Sequence, residues 1–470
     1  MKLARPLALA LLCALPTGMR AAAQQPLAAA PAMPETAALA GPALPPPAWT
    51  AEERSAIALL RELRKKERLG DEELCARLAV AGERLFPLFS QLLERRAIPA
   101  LEGATGLAGG EVQVLSEVQE HVILLALANL DRGFVLSRLP GAVAPAEPRQ
   151  RLAAIGCVGA VGRGNDFPLL FELALAPGES AVARPLALGL RRAAASILRR
   201  DERAAEQLVS LRRITPRVLL PILVAAVGEA RSPLGLAYLS ELVAWNDDLV
   251  VEVMSQVCQV GRSSDESLND VMRVRLRPYL DDENPGACRA AVLALTTLGD
   301  LDSIGALVTL LGSEDAGLRE NALWALRELT GLKLSASQET WARWHQAELA
   351  WYLRSKSRDF QHLRSNDLAE SAAALRELRT HPLARAELRT TLPELLRHRW
   401  PAMRALACST LAELGASEAV PRLVWSLEDS DKDVARAAHD ALRKLTGRDL
   451  PLDASTWQVA TNTQPRGTEL

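Results

Sequence analysis

The sequence predicts an all-α fold built as an array of stacked helix pairs. Of its 470 residues, 49% are apolar and only 4% are aromatic, and Ala and Leu, which favour helices, dominate the apolar set. Alternating runs of Val, Ile, Thr and Tyr, which would indicate strands, are missing. One long phrase occurs twice, as is typical of repeat architectures. The net charge of -2 gives no indication of a nucleic-acid partner, which favours a basic domain.

Residues 1–23 have the layout of a cleaved secretory signal. Lys2 and Arg5 give a basic start, an apolar stretch runs from Leu7 to Leu15, and small residues follow at Ala21 to Ala23. The apolar stretch is too short to span a bilayer, which needs about 20 apolar residues, and no later segment approaches that length. We therefore expect cleavage near Ala23 and export to the periplasm or the extracellular space, without an integral membrane segment in the mature chain.

Residues 24–48 are dominated by Pro and Ala, which indicates a disordered, semi-rigid linker. We predict an N-terminal helical region at 49–140. Its first helix has Thr50 as a candidate cap, with Glu53 three residues later as in a capping box. Gly70 is placed to end that helix.

The segments Pro285–Trp341 and Pro401–Trp457 are two copies of one 57-residue unit. They share 19 identical residues at a constant offset of 116. Most identities fall at spacings of three, four or seven, which place them on one face of a helix, and others fall on glycines that end helices. Each copy predicts a helix, a turn, a second helix, a short acidic turn and a third helix. Ser337 and its counterpart Asp453 are N-cap candidates for the helix that follows.

Stacking is what makes such units stable, because a helix pair cannot bury its apolar face alone. Looser versions of the pattern begin near residue 147, so we predict a repeat array over 147–331. We predict intervening helices, one of them rich in Trp, at 332–400. A second repeat module follows at 401–457, and a disordered tail at 458–470.

The stretches WPAMRALACSTLAELGASEAVPRLVWSL (400–427) and DSDKDVARAAHDALRKLTG (429–447) resemble HEAT repeats. They are most similar to the short bacterial type named after the phycobilisome-lyase subunits. The resemblance is strongest over 285–331 and 401–447. It implies an armadillo-like, right-handed α-solenoid that binds protein partners along its concave surface. No residue in these stretches carries over a catalytic activity.

No spacing in the sequence matches a catalytic, cofactor or metal-binding motif. The six histidines are scattered, without H-E-x-x-H, and there is no G-x-S-x-G nucleophile turn. We therefore expect no catalytic residue, cofactor or metal, and an enzyme with a site assembled from distant residues is the alternative. Five cysteines follow the predicted signal without a C-x-x-C pair, and we interpret them as small buried apolar residues, although an exported protein allows a disulfide. They are Cys75, Cys157, Cys258, Cys288 and Cys408.

An aromatic segment from Trp341 to Phe360 is the first candidate partner-binding site. Its predicted helix carries three tryptophans and a tyrosine in a chain otherwise poor in aromatics, and basic residues follow. Trp and Arg are enriched at binding hot spots. The candidate residues are Trp341, Trp344, Trp351, Tyr352, Arg354 and Arg358. The alternative interpretation is a helix buried between the two repeat modules.

An arginine-rich segment at 190–217 is the second candidate site. It holds eight arginines and three acidic residues. A ridge of such arginines would attract an acidic partner or an anionic envelope polymer. The candidate residues are Arg191, Arg192, Arg199, Arg200 and Arg203. Solvated arginines on an amphipathic helix are the alternative.

Together these patterns predict a non-catalytic protein-interaction scaffold of the bacterial periplasm or envelope. Its binding would rest on shape and charge complementarity along a solenoid surface. Binding of an anionic polymer or an acidic partner through the arginine ridge is the alternative function.

Overall fold

The computed structural model describes six parts of the chain: 49–63, 78, 82–99, 112–139, 147–245 and 247–461. The predicted signal and linker, Gly70 and Cys75 lie outside these residues. The chain divides into two units, Met1–Ala56 and Ile57–Leu470, and the boundary falls inside the first helix.

The first unit contains the predicted capping box. The backbone N–H of Thr50 donates to Glu53 Oε2 at 2.8 Å, and the backbone N–H of Glu53 donates to Thr50 Oγ1 at 3.2 Å. Two backbone donors at the start of the helix are thereby satisfied.

The described residues form 23 α-helices and one two-stranded sheet, which confirms the predicted all-α class. Ahead of the repeats lie α1 (Ala51–Leu63), α2 (Phe86–Arg95), β1 (Ala97–Ile98), β2 (Gln113–Val114), α3 (Glu117–Ala128) and α4 (Arg132–Leu136). The two strands pair antiparallel, with Ala97 opposite Val114.

Twelve helices then follow as consecutive pairs. They are α5 (Pro148–Val161), α6 (Phe167–Ala174), α7 (Arg184–Arg200), α8 (Ala204–Leu211), α9 (Leu220–Ala230), α10 (Gly235–Trp245), α11 (Val250–Val260), α12 (Glu266–Leu276), α13 (Pro285–Thr297), α14 (Ile304–Leu310), α15 (Ala316–Thr330) and α16 (Gln338–Arg354).

The remaining helices form the C-terminal part of the second unit. They are α17 (Lys356–His362), α18 (Leu368–Thr380), α19 (Arg385–Leu395), α20 (Pro401–Glu413), α21 (Val420–Ser426), α22 (Lys432–Thr446) and α23 (Ala454–Thr461). Helix α23 continues to Thr461, four residues into the segment expected to be a tail.

The second unit is a two-layer stack. From α5 to α15 each odd-numbered helix packs on the next odd-numbered one, which makes the first layer. The even-numbered helices from α6 to α16 make the second layer. Small residues allow close approach in the first layer, since a Cβ added at Gly159 would lie 2.7 Å from the Cβ of Ala193. This arrangement of stacked helix pairs is an α-solenoid.

The two 57-residue copies place their helices at the same positions. The bounds of α20, α21 and α22 equal those of α13, α14 and α15 shifted by 116, and α23 begins at the shifted start of α16. Helices α15 and α22 each end at a glycine of positive φ, Gly331 at 73° and Gly447 at 67°. A side chain at these positions would be strained, so the repeated glycines are helix stops.

The acidic turns before α15 and α22 are capping turns. The backbone N–H of Leu318 donates to Asp315 at 2.8 Å, and that of Val434 donates to Asp431 at 3.3 Å. An N-cap of this kind contributes about 1 kcal/mol to helix stability. Local chemistry therefore starts and stops the helices of both copies.

Candidate partner-binding site

Helix α16 differs from the other helices of its layer in length. It has 17 residues, whereas α6, α8, α10, α12 and α14 have between 7 and 11. Ser337 caps it, accepting a hydrogen bond from the backbone N–H of Thr340 at 3.3 Å. The second half of α16 is therefore additional surface at the junction between the two copies.

Trp341 anchors the start of α16 in the core. It is fully buried, its indole N–H donates to the carbonyl of Ser335 at 3.0 Å, and its ring meets Trp344 edge-on at 5.6 Å. In the second copy Trp457 is equally buried, and its indole N–H donates to the carbonyl of Pro451 at 2.9 Å. The same contact occurs at the same offset, so it belongs to the architecture of the repeat.

A buried carboxylate fixes the middle of α16. Glu348 forms a 2.7 Å hydrogen bond with Nδ1 of His381 and accepts another from the backbone N–H of Leu383 at 3.1 Å. The second ring nitrogen of His381 lies 3.3 Å from Glu377. The imidazole stacks on the indole of Trp351, with 3.4 Å between ring centroids and 3° between planes. These contacts tie α16 to the turn that precedes α19.

The last aromatic residues of α16 are held by polar partners from α17 and α19. The indole N–H of Trp351 donates to Asp359 at 3.1 Å. The Tyr352 hydroxyl accepts from Lys356 at 3.2 Å, and the ammonium lies 4.3 Å from the ring centroid. Hydrogen bonding to Glu387 at 2.7 Å raises the pKa of Lys356. Both aromatic rings are half-buried, so their arrangement is that of a structural cluster.

The opposite face of α16 carries an apolar stripe that the sequence analysis missed. Leu349 is 40% exposed and Leu353 is 82% exposed. They are four residues apart and therefore lie one above the other on the helix. At 100° per residue, they lie opposite Trp344 and Trp351. Leucine at helical spacing is typical of core, and its position opposite the tryptophans was the signal for exposure.

The basic residues around this stripe differ in how far they are neutralised. Arg358 pairs with Asp359 at 3.2 Å, whereas Arg354 is exposed and forms no ion pair within the described residues. Arg343 is also exposed, with Glu339 at 3.9 Å. Helical geometry places Arg343 and Arg354 on the same side of the leucine stripe. The stripe thus has one basic border.

The arginine ridge is largely neutralised by ion pairs between helices. Arg191 and Arg199 share Glu229, at 2.9 and 3.9 Å. Arg192 pairs with Glu117 at 2.7 Å, and this hydrogen bond lowers the pKa of Glu117 and raises that of Arg192. These three arginines therefore offer less free charge to an anionic polymer than the sequence indicates.

The two other ridge arginines lie where α7 ends. The guanidinium of Arg200 donates to the carbonyls of Gly159 and Gly162 at 3.1 and 2.7 Å, and it also donates to that of Ala160. It therefore satisfies carbonyls at the end of α5, and burial lowers its pKa. Arg203 is exposed, and its guanidinium has no partner among the described residues.

The cysteines of the described chain are free thiols in largely apolar surroundings. Cys157, Cys288 and Cys408 are buried and Cys258 is half-buried, and none of these four forms a disulfide. Burial raises the pKa of Cys157 and of Cys408 to about 12. These thiols serve as packing groups.

The described residues hold no group of three or more His, Cys, Asp or Glu side chains arranged to bind a metal ion. Within the same residues, every helix is either too short or too polar to cross a membrane.

The stack and its caps define a solenoid of helical repeats. Residues 360–453 match the family model of HEAT repeats, and residues 296–331 match that of the Armadillo/beta-catenin-like repeat. These two segments are therefore similar to repeats of the HEAT/Armadillo type, and such repeats generally serve as protein-interaction scaffolds. The HEAT match begins inside α17, so it includes α18 and α19, two helices that we expected to lie between the repeat modules.

Two other comparisons add no family assignment. No protein with a curated description matches the chain. The crystal structure of an engineered protein from the Northeast Structural Genomics Consortium is similar over 84% of this chain and 99% of its own, with 16% identity and a TM-score of 0.33.

Proposed function

We propose that this protein is a non-catalytic scaffold that binds a protein partner in the bacterial periplasm or envelope. The observation that carries the proposal is the exposed leucine stripe on α16, a helix whose opposite face is fixed in the core. Export rests on the layout of residues 1–23. We assign the repeats to the short bacterial HEAT type, and the second layer, which includes α16, to the concave side of the solenoid.

The stripe is suited to binding because it is already rigid. Burying Leu353 and Leu349 together would contribute about 3 kcal/mol, taking about 1.5–3 kcal/mol for a fully buried leucine and discounting what is already covered. Trp341 and Glu348 hold the helix in place, so little ordering entropy opposes association. The basic border at Arg343 and Arg354 favours a partner with an apolar ridge and acidic residues along one side.

The polar groups on the buried face of α16 have structural partners. Glu348 and His381 are the pair most like an acid–base dyad, yet both carboxylate oxygens of Glu348 are hydrogen-bonded. One face of the His381 ring is covered by Trp351. Their hydrogen bonds position α16 against α19. This is a structural role, which fits a scaffold.

Photocrosslinking from the stripe tests the partner. A photoreactive phenylalanine at position 353 is compared with one at position 274, since Val274 is a 61% exposed apolar residue on α12. We expect one protein to be crosslinked from 353 and not from 274. The purified partner should then lose most of its affinity for Leu349→Gln/Leu353→Gln and keep it for Val274→Gln. Equal crosslinking from both positions, or equal affinity of all variants, would refute the site.

Export has its own test. The full chain is expressed in a bacterium, the cells are fractionated, and the N-terminus of the product is read by mass spectrometry. We expect a chain that begins at Gln24 in the periplasmic fraction. An uncleaved chain in the cytoplasm would refute export without affecting the partner site.

A further inference from the structure

A cavity with a mixed polar and apolar lining lies at the end of α7, away from α16. It has a volume of about 550 Å³, within the range of about 300–1,000 Å³ typical of ligand pockets. Its lining comes from the ends of α3, α5 and α7 and the start of α4: Ala128, Leu130, Arg132, Ala160, Val161, Arg163, Arg200, Asp201, Glu202 and Arg203. The wall thus combines four arginines with two carboxylates and an apolar part.

The four arginines are of two kinds. Arg132 is held by Asp166, with hydrogen bonds of 2.6 and 2.9 Å to the two carboxylate oxygens, and Arg200 is held by the carbonyls that end α5. Arg163 and Arg203 are exposed, and their guanidinium groups form no ion pair within the described residues. The cavity therefore has two fixed arginines and two arginines whose donors are free for a ligand.

The carboxylates of the lining are also of two kinds. Asp201 accepts hydrogen bonds from the backbone N–H groups of Gly164 and Arg203 at 2.8 and 3.1 Å, so it is part of the wall. Glu202 is exposed and is the carboxylate that an anion entering the cavity would meet. With Asp166 paired to Arg132, four arginines stand against three carboxylates, so the cavity keeps a small positive charge.

Close packing keeps these walls in place. A Cβ added at Gly164 would lie 2.9 Å from the Cα of Ala204, so the loop between α5 and α6 presses on the start of α8. The approach of Gly159 to Ala193 fixes α5 against α7 in the same way. The cavity is therefore formed before any ligand binds, which lowers the cost of binding.

We propose that this cavity binds the phosphate group of a small organic molecule. Arg163 and Arg203 would supply paired N–H donors to the phosphate oxygens, as guanidinium groups do with oxyanions. A phosphate monoester carries close to two negative charges at neutral pH, and the two unpaired arginines that it would meet outnumber the one opposing carboxylate, Glu202. The volume exceeds that of one oxyanion, and Leu130 and Val161 provide an apolar wall for the organic part.

Calorimetry with glycerol 3-phosphate and with inorganic phosphate tests the site. We expect glycerol 3-phosphate to bind and the affinity to fall as NaCl is raised. Arg163→Gln and Arg203→Gln should each weaken binding about tenfold or more, since each removes a charge-assisted hydrogen bond. Glu202→Gln should tighten binding, because it removes the opposing carboxylate.

Arg191→Gln is the matched control, since Arg191 lies on α7 outside the cavity and pairs with Glu229. It should bind glycerol 3-phosphate like the unaltered protein, and circular dichroism should show that all variants are folded. Failure of glycerol 3-phosphate to bind, or equal weakening by all the arginine variants, would overturn the proposal. So would binding seen only with vesicles that contain phosphatidic acid, because the phosphate would then belong to a lipid. None of these outcomes depends on the α16 partner.

Discussion

Replacing Trp341 by Ala should open the stack where α16 packs on α14. A buried Trp side chain removes about 200 Å² from water, which at about 25 cal/mol per Å² corresponds to about 5 kcal/mol. Alanine retains about 1 kcal/mol of this, and the Ser335 carbonyl loses a donor at a cost of about 1 kcal/mol. We expect the free energy of unfolding to fall by about 4–5 kcal/mol, at the upper end of measured Trp to Ala changes.

The part of the chain that is destabilised should differ between the two copies. Each repeat of a solenoid contacts only its neighbours. Trp341→Ala should therefore split urea unfolding into two transitions, whereas Trp457→Ala should loosen only α22 and α23. Hydrogen exchange measured by mass spectrometry localises each effect, and the half-buried Trp344, changed to Phe, is the control. If Trp341→Ala costs less than about 1 kcal/mol, or exchange near α16 rises no more than in Trp344→Phe, the core assignment is wrong.

Two further predictions concern titratable groups. Burial raises the pKa values of Cys157 and Cys408 to about 12. A thiol reagent at neutral pH should therefore modify them only as fast as the chain opens. Rapid labelling of the native protein would contradict their burial. Hydrogen bonding to Arg151 and to the Ala176 N–H lowers the pKa of Glu179 from 4.5 to about 2, so its stabilisation is present above pH 4.5 and is lost as the pH falls toward 2. The denaturation midpoint of Glu179→Gln, measured from pH 6 to 2, should fall less steeply than that of the unaltered chain, and parallel curves would contradict the pairing.

The helix boundaries of the duplicated unit could be predicted because their causes are local. Asp315 and Asp431 cap the helices that follow them, and Gly331 and Gly447 end those helices at positive φ. Each of these effects acts over three or four residues of sequence. Two copies with the same signals at a fixed offset therefore fold to the same boundaries.

The free charge of the arginine ridge could not be predicted from the local sequence. The run of arginines at 190–217 indicated a free basic surface, but Arg192 pairs with Glu117, 75 residues away. Arg191 and Arg199 pair with Glu229 of the next first-layer helix. These acids are supplied by neighbouring helices, so the remaining charge depends on which helices stack together.

The exposed face of the aromatic helix α16 is a second property that depends on tertiary structure. Its composition predicted either a binding surface or a buried helix, and the fold buries one face of the helix and exposes the other. Trp341 and Glu348 are buried, while Leu349 and Leu353 are exposed. A Leu pair at helical spacing has the pattern of a core, its position opposite the tryptophans is the one sequence signal for exposure, and the position of neighbouring helices decides that it faces water.

The sequence by itself determined the class, the repeat and the ends of its helices, since helix propensity, apolar periodicity and capping act along the chain. Tertiary structure decided which charges remain unpaired, which face of α16 is open, and that Arg163 and Arg203 meet at one cavity. Those properties depend on distances between residues far apart in the chain. Such distances are set by the packing of stacked repeats, in which each helix takes its partners from its neighbours.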